Sequence, residues 1–440
     1  MLITRSEQIF NHALRYATPF STTLGHAWAI VPDGFSRYHG WPIRSRRFRE
    51  WLAHSFHLEH GLFPGTHALN SAMQMLSAHA HHSEFPATRI FTRIGFHGHH
   101  RNPQSILIHL ANAAEEIVEI APNGHRLVTA QSWRFLSGAA TAPLPRPIAT
   151  TATVLEQLRR ILNIDETALH RAVFWLFKAL RPTGPYPVLS ITGPPASGKS
   201  TLARILRTLI DPSAIPLLTP PATQRDLFTL ALHTRVLAFD NVNFLGRTMA
   251  DALARIAAGT GIAITSRNEF DDPQPLALER PIIITGRRPP ACTNSPLNIH
   301  LEARKPATLR TENVLAEQIE AAAPAILGSL CAAISESLST GSATPPALGL
   351  TIEQTNTALA ANPLIDAIHQ LLQANNEWTG TPTQLQKALS FDGRPQHLSE
   401  QLNALPLSIF GIQLESWQSH RTRQIRLTTT PSVVVGKAAA

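Results

Sequence analysis

The segment Gly193-Pro194-Pro195-Ala196-Ser197-Gly198-Lys199-Ser200, followed by Thr201, has the spacing GxxxxGK[ST]. Those residue types at that spacing make an anion cradle. Glycines at its two ends allow the backbone to turn tightly and approach a ligand closely. The N–H groups of the loop and of the following helix then converge on phosphate oxygens. Lys199 is placed to reach the β- and γ-phosphates of ATP, and the Ser200 hydroxyl to ligate Mg²⁺. A second metal-binding group belongs at the end of a neighbouring buried strand. Arg235-Val-Leu-Ala-Phe-Asp240-Asn241 supplies it: an apolar run ends at Asp240, which is expected to hold Mg²⁺ through water. Many such sites place a glutamate next, as base for the attacking water. Here Asn241 stands there, able to orient a water but not to take its proton. A third apolar segment, Arg280-Pro-Ile-Ile-Ile-Thr-Gly286, ends in Thr285, which is expected to act as a polar sensor beside the γ-phosphate.

The elements that must carry these residues follow from the local pattern. Pro187–Thr192 reads as a strand entering the loop and Thr201–Leu209 as an amphipathic helix leaving it. Apolar strands followed by helices imply an α/β fold with a parallel sheet covered by helices. Two amphipathic helices, Val154–Ile164 and Glu166–Leu180, lead in. The stretch from Gly259 to Asp272 reads as a hairpin or loop exposing Arg267.

The expected organisation is a small α+β N-terminal domain over 1–145, a P-loop core over 153–305, a helical region over 310–345, and a winged-helix-like C-terminal domain over 362–430. In the first, Ala27–Val31 reads as a strand, Ser45 as the cap of a helix through Phe48, Trp51 and Leu52, and Ala68–Ala78 as a second helix. Strands are expected at Thr88–Phe96, Ser105–Leu110 and Glu116–Ile120, with a turn at Pro122-Asn-Gly124. Ala139–Ala152, with Pro143, Pro145 and Pro147, reads as a linker. The helix Glu312–Leu338 is expected to break at Pro324. Near the C-terminus, helices at Pro382–Leu389 and His397–Leu405 precede a hairpin, Gly411–Trp417 and Gln424–Thr428. Its basic tip would set Arg421 and Arg423 on DNA phosphates.

With 440 residues, 43% hydrophobic and 15% charged, the chain has material for a sizeable core. A formal net charge of +8 favours a polyanionic partner. Cys292 and Cys331 are too far apart in sequence for metal-ligand spacing, which fits a reduced, cytoplasmic setting. The N-terminus lacks a signal-peptide pattern, and no membrane-spanning segment is expected. The histidine clusters at 79, 81, 82 and 97, 99, 100 have no cysteine beside them and read as polar surface.

With these motifs in hand, residues of about 180–287 resemble the ATP-binding proteins of phages and mobile elements related to superfamily-three (AAA+-type), primase-associated DNA helicases. The resemblance rests on GPYPVLSITGPPASGKSTLARILRTLIDP, the Arg225-Asp-Leu that follows, VLAFDN, LARIAAGTGIAITSR and ERPIIITG. It implies DNA-stimulated ATP hydrolysis by a self-assembled ring, usually a hexamer, acting in DNA replication, sometimes with a primase as partner. It also implies that Arg267 sits in a DNA-contacting hairpin. The chain departs from the family at Asn241, at Thr285 and Gly286, where an asparagine sensor is common, and at Cys292–Pro296, where an Asp-Arg pair is expected. Arg280, Arg287 or Arg288 stands as a substitute for the missing arginine. Two other readings remain: a non-motor ATP-binding switch in a regulatory or defence assembly, and a small-molecule kinase. The kinase lacks support from an Arg-rich lid.

Overall fold

The computed structural model describes residues 3–32, 38–100, 102–129, 140–260, 278–287, 297–303, 312–342, 344–351, 377–389, 412–419 and 422–429, with shorter pieces between them. Short polar side chains set where its helices begin. Helix α1 (Arg5–Tyr16) starts at Thr4, whose hydroxyl accepts from the Glu7 N–H while the Glu7 carboxylate accepts from the Thr4 N–H. Strands β1 (Thr18–Ser21), β2 (Ala27–Pro32) and β3 (Tyr38–Pro42) pair antiparallel in that order. Helix α2 (Arg46–His60) is capped by the Ser45 hydroxyl on the Phe48 N–H, and α3 (Thr66–His81) follows. The three helices and β2 enclose one core, in which Ile9, Val31, Phe48, Leu52, Phe56 and Leu76 are wholly buried.

A second antiparallel sheet runs β4 (Ile94–His99), β5 (Asn102–His109), β6 (Ile117–Ala121) and β7 (Gly124–Val128). The stretch expected as a linker is instead a packed strap. Ala142 N–H donates to Pro212 O, Leu144 N–H to Leu110 O and Ile148 N–H to Pro324 O, while Arg146 forks onto Glu116 at 2.8 Å. Its prolines hold it extended, so backbone groups on either side find partners.

Helices α4 (Val154–Ile161) and α5 (Glu166–Ala179) then lead to the central sheet: β8 (Leu189–Thr192), α6 (Lys199–Thr208), α7 (Gln224–His233), β9 (Leu237–Phe239) and α8 (Arg247–Ala258). A small antiparallel pair, β10 (Ile262–Ile264) and β11 (Gln274–Leu276), precedes β12 (Ile282–Gly286) and β13 (Leu297–His300). The central sheet is parallel throughout, in the order β13-β8-β12-β9. Leu189, Ile191, Leu237, Phe239, Ile282 and Ile283 are all wholly buried, the mark of a sheet covered on both faces. β13 is a strand the sequence reading lacks, although Leu297, Ile299 and Leu301 alternate toward the core.

Helix α9 (Glu312–Thr340) runs unbroken through Pro324. The carbonyl freed one turn earlier belongs to Glu320, which is exposed, and the Pro324 carbonyl accepts from Ile148, so the proline is tolerated. By length and hydropathy α9 meets the minimum for crossing a bilayer, but its apolar residues pack against α4 and the second sheet. The C-terminal part holds β14 (Glu377–Gly380), α10 (Pro382–Ala388), β15 (Ile412–Ser419) and β16 (Thr422–Thr429), with strand order β14-β16-β15, all antiparallel. Of the helix expected at His397–Leu405, Leu398 and Leu402 lie among the described residues, buried against Leu385, Ile425 and Leu427.

Candidate functional site

Register brings the chemistry-bearing residues to one edge. Ile284 pairs with Phe239 and Gly286 with Thr192, so the carboxyl ends of β8, β9 and β12 finish side by side. In an open parallel sheet this edge is where ligands bind. The loop from Gly193 to Gly198 leaves β8 here. Gly193 has φ 146, and a Cβ on it would lie 2.2 Å from Leu301 O, so only glycine fits. Ala196 is left-handed at φ 60, and Gly198, at φ 91, caps α6 without a side chain. Pro195 and Ala196 are exposed, and Ser197 is buried.

Lys199 turns back over this loop, its Nζ donating to Pro194 O at 2.6 Å. Ser200 Oγ donates to Asp240 Oδ1 at 2.8 Å, and Thr285 Oγ1 donates to the same oxygen. The Thr285 hydroxyl in turn accepts from the Asn241 N–H at 3.0 Å, and Thr285 O accepts from the Val242 N–H at 2.7 Å. The loop after β9 is therefore fastened to β12, with Asn241 held at φ 54. That conformation is uncommon outside glycine, and Asn tolerates it better than most residues. Asn241 is exposed, and its Oδ1 accepts from Asn243 Nδ2 at 3.3 Å. Thr201 and Arg204 on α6 both reach Glu312, tying the start of α9 to the helix that follows the loop.

The structure thus brings together Lys199, Ser200, Asp240, Asn241 and Thr285. Sequence reasoning missed β13 and the residues after it. The hydroxyl of Thr192 is 3.1 Å from His300 Nδ1, and a cavity beside Ser197 is lined by His300, Glu302, Asp165 and Arg171. The alternation Leu-Asn-Ile-His-Leu was the available signal. Arg267 and Arg421 lie outside the described residues. Arg423 sits in β16 opposite Gln418. Of the arginines named as substitutes for the missing one, Arg280 is committed inside the chain, donating to Ala231 O, Thr234 O and Glu279 O. Arg287 is exposed, and Arg288 lies outside the described residues.

Among the described residues, His12, Glu59 and His60 are close enough to share a metal ion. His12, however, already engages Glu59 and Ser55 through its two nitrogens, and Glu59 is paired with Arg15.

Residues 155–360 match the family described as actinomycete integrative conjugative element replication protein. No curated protein matches the chain. Two apo structures of the NrS-1 C-terminal region align at 9% and 10% identity, covering 96% and 97% of this chain and 98% and 99% of theirs, each with a TM-score of 0.37. A compound-bound JCV helicase aligns at 13% identity over 47% of this chain and 70% of its own, with a TM-score of 0.23. At TM-scores this low, none of these describes the fold of the present chain.

Proposed function

We propose that this chain is an ATP-hydrolysing replication protein of a mobile genetic element, a DNA-stimulated motor of the helicase type. The observation that carries the reading is the convergence of Lys199, Ser200, Asp240 and Thr285 at the carboxyl edge of a parallel sheet, next to a loop whose first glycine admits no side chain. The family match over residues 155–360 supplies the replication context.

ATP fits the loop from Gly193 to Thr201 because backbone N–H groups, the start of α6 and the Lys199 ammonium present positive charge on one side. Ser200 and Asp240 offer two hard oxygen donors 2.8 Å apart, a set that suits Mg²⁺. Bound there, the ion would neutralise charge on the phosphates. Thr285 fixes Asp240 and the Asn241 N–H at once, so the position of the loop after β9 reports on β12. Asn241 is suited to orient a water through its amide, while the proton must pass to another group.

DNA as a partner follows from the net charge of +8 and from the replication context. Assembly into a ring, in which a neighbour's arginine completes the site, belongs to the same proposal, as does a primase partner. Asn241 also favours a second reading, a switch that holds ATP without turning it over. Steady-state ATP hydrolysis measured with and without single-stranded DNA separates the two. The motor reading expects turnover that rises several-fold with DNA. Tight Mg-ATP binding with no hydrolysis in either condition would establish the switch instead.

A further inference from the structure

A cavity of about 420 Å³ opens at the other end of the same strands, between the central sheet, the β1–β2 turn and the start of β4. None of its lining residues belongs to the loop 193–200, to Asp240 or to Thr285. Arg235 lies just before β9 and Arg280 just before β12, and both line it. Each stands five positions before Asp240 or Thr285, about 16 Å along an extended strand.

The charge on this wall is out of balance. Arg235, Arg280 and Arg89 share the lining with one carboxylate, Glu279; the other carboxylate that acts on Arg280, Asp211, lies outside the lining and is paired with Arg93. Arg235 is 1% exposed. Its NH groups donate to Ala179 O, Arg181 O and the Tyr186 hydroxyl, while its Nε is buried with no partner. Arg280 donates to three backbone carbonyls and to the Thr92 hydroxyl. Burial and the neighbouring Arg235 push its guanidinium down to about 10. Carbonyls satisfy donors, but they do not cancel two desolvated cations.

Aromatic rings share the lining with these cations. Trp28, Phe91 and Phe96 line the cavity, and the Arg89 guanidinium lies 5.2 Å from the centre of the Phe96 ring. A cavity of this volume, lined by apolar rings and cationic side chains and set between structural units, has the form of a small-molecule site. We infer that it binds a mononucleotide, its base against Trp28, Phe91 and Phe96 and its phosphate toward Arg235, Arg280 and Arg89. The inference does not depend on ATP occupying the loop at 193–200.

The test uses the full chain carrying Lys199→Ala, so that the loop does not compete. Equilibrium dialysis measures binding of each of the four deoxynucleoside 5′-monophosphates and of inorganic pyrophosphate. At least one monophosphate is expected to bind at one per chain, and more tightly than pyrophosphate. Arg280→Gln should abolish this, and Arg89→Gln should weaken it about tenfold, as for one charge-assisted hydrogen bond. Arg89 is exposed, so its variant decides the matter even where Arg280→Gln fails to fold. The inference is overturned by any of three results: no monophosphate binds, pyrophosphate binds as tightly as the monophosphates, or Arg89→Gln in a folded chain binds unchanged.

Discussion

At the carboxyl ends of β8, β9 and β12, Asp240 collects two hydroxyl donors and Lys199 spends its ammonium on a loop carbonyl. At the amino ends of β9 and β12, Arg235 and Arg280 give their donors to backbone carbonyls. The first region is built from small groups that rearrange at little cost when a charged ligand arrives. The second is built from long, desolvated cations that also brace α5, β9 and β12 together. One sheet therefore carries an edge of small hydrogen-bonded polar groups and an edge where electrostatics and stability are bound up with each other.

Separating the two roles calls for substitutions at each end. The largest effect belongs to the amino end. Asp211 is buried and accepts from Arg93 Nε at 2.9 Å and from the Arg235 and Val236 N–H groups at 3.0 Å. Asp211→Ala leaves Arg93 buried without its counter-charge, so urea unfolding should show a loss of about 3–5 kcal/mol. Asp240→Asn acts at the other end. It keeps the shape but loses the negative charge, and ATP turnover should fall at least about a hundredfold while the urea midpoint moves little. If Asp240→Asn unfolded the chain, the division between the edges would fail.

Lys178 sharpens the comparison with a smaller effect. Burial, and then Arg181, push its ammonium down to about 8. Between that value and its ordinary 10.5, the unfolded chain holds a proton that the folded chain has released, so stability rises with pH through this window. Below about 8 the folded state carries a desolvated ammonium. Lys178→Met should therefore stabilise the chain by about 1 kcal/mol at pH 7, with the gain fading as pH climbs toward 10.5. Thermal unfolding of both proteins at pH 7 and pH 10 measures it, and a gain that grows with pH would contradict the assignment.

The contrast also explains what could be read in advance. The loop at 193–200 and the strand ending at Asp240 are visible because the patterns that mark them lie between neighbours in sequence. Helix starts such as Ser45 are visible for the same reason, since the cap and its N–H are three residues apart. The cavity is not, because Trp28, Arg89, Arg235 and Arg280 meet only through tertiary packing. The proline-rich strap at 140–152 looked like a linker because composition reports stiffness, whereas its partners at Leu110, Pro212 and Pro324 are remote. The break expected at Pro324 failed because the chain supplies both an exposed carbonyl and a donor from Ile148. β13 was missed because four residues of alternating pattern are too short to stand out until β8 pairs with them.

The central claim is that the loop from Gly193 to Thr201 holds the phosphates of ATP against Lys199. Titration calorimetry of Mg-ATP into the full chain and into Lys199→Ala, both shown to be folded, tests it most directly. The account predicts one site per chain in the parent and affinity weakened at least about a hundredfold in the variant, from loss of a charge-assisted contact. Equal affinity in the two proteins would contradict it.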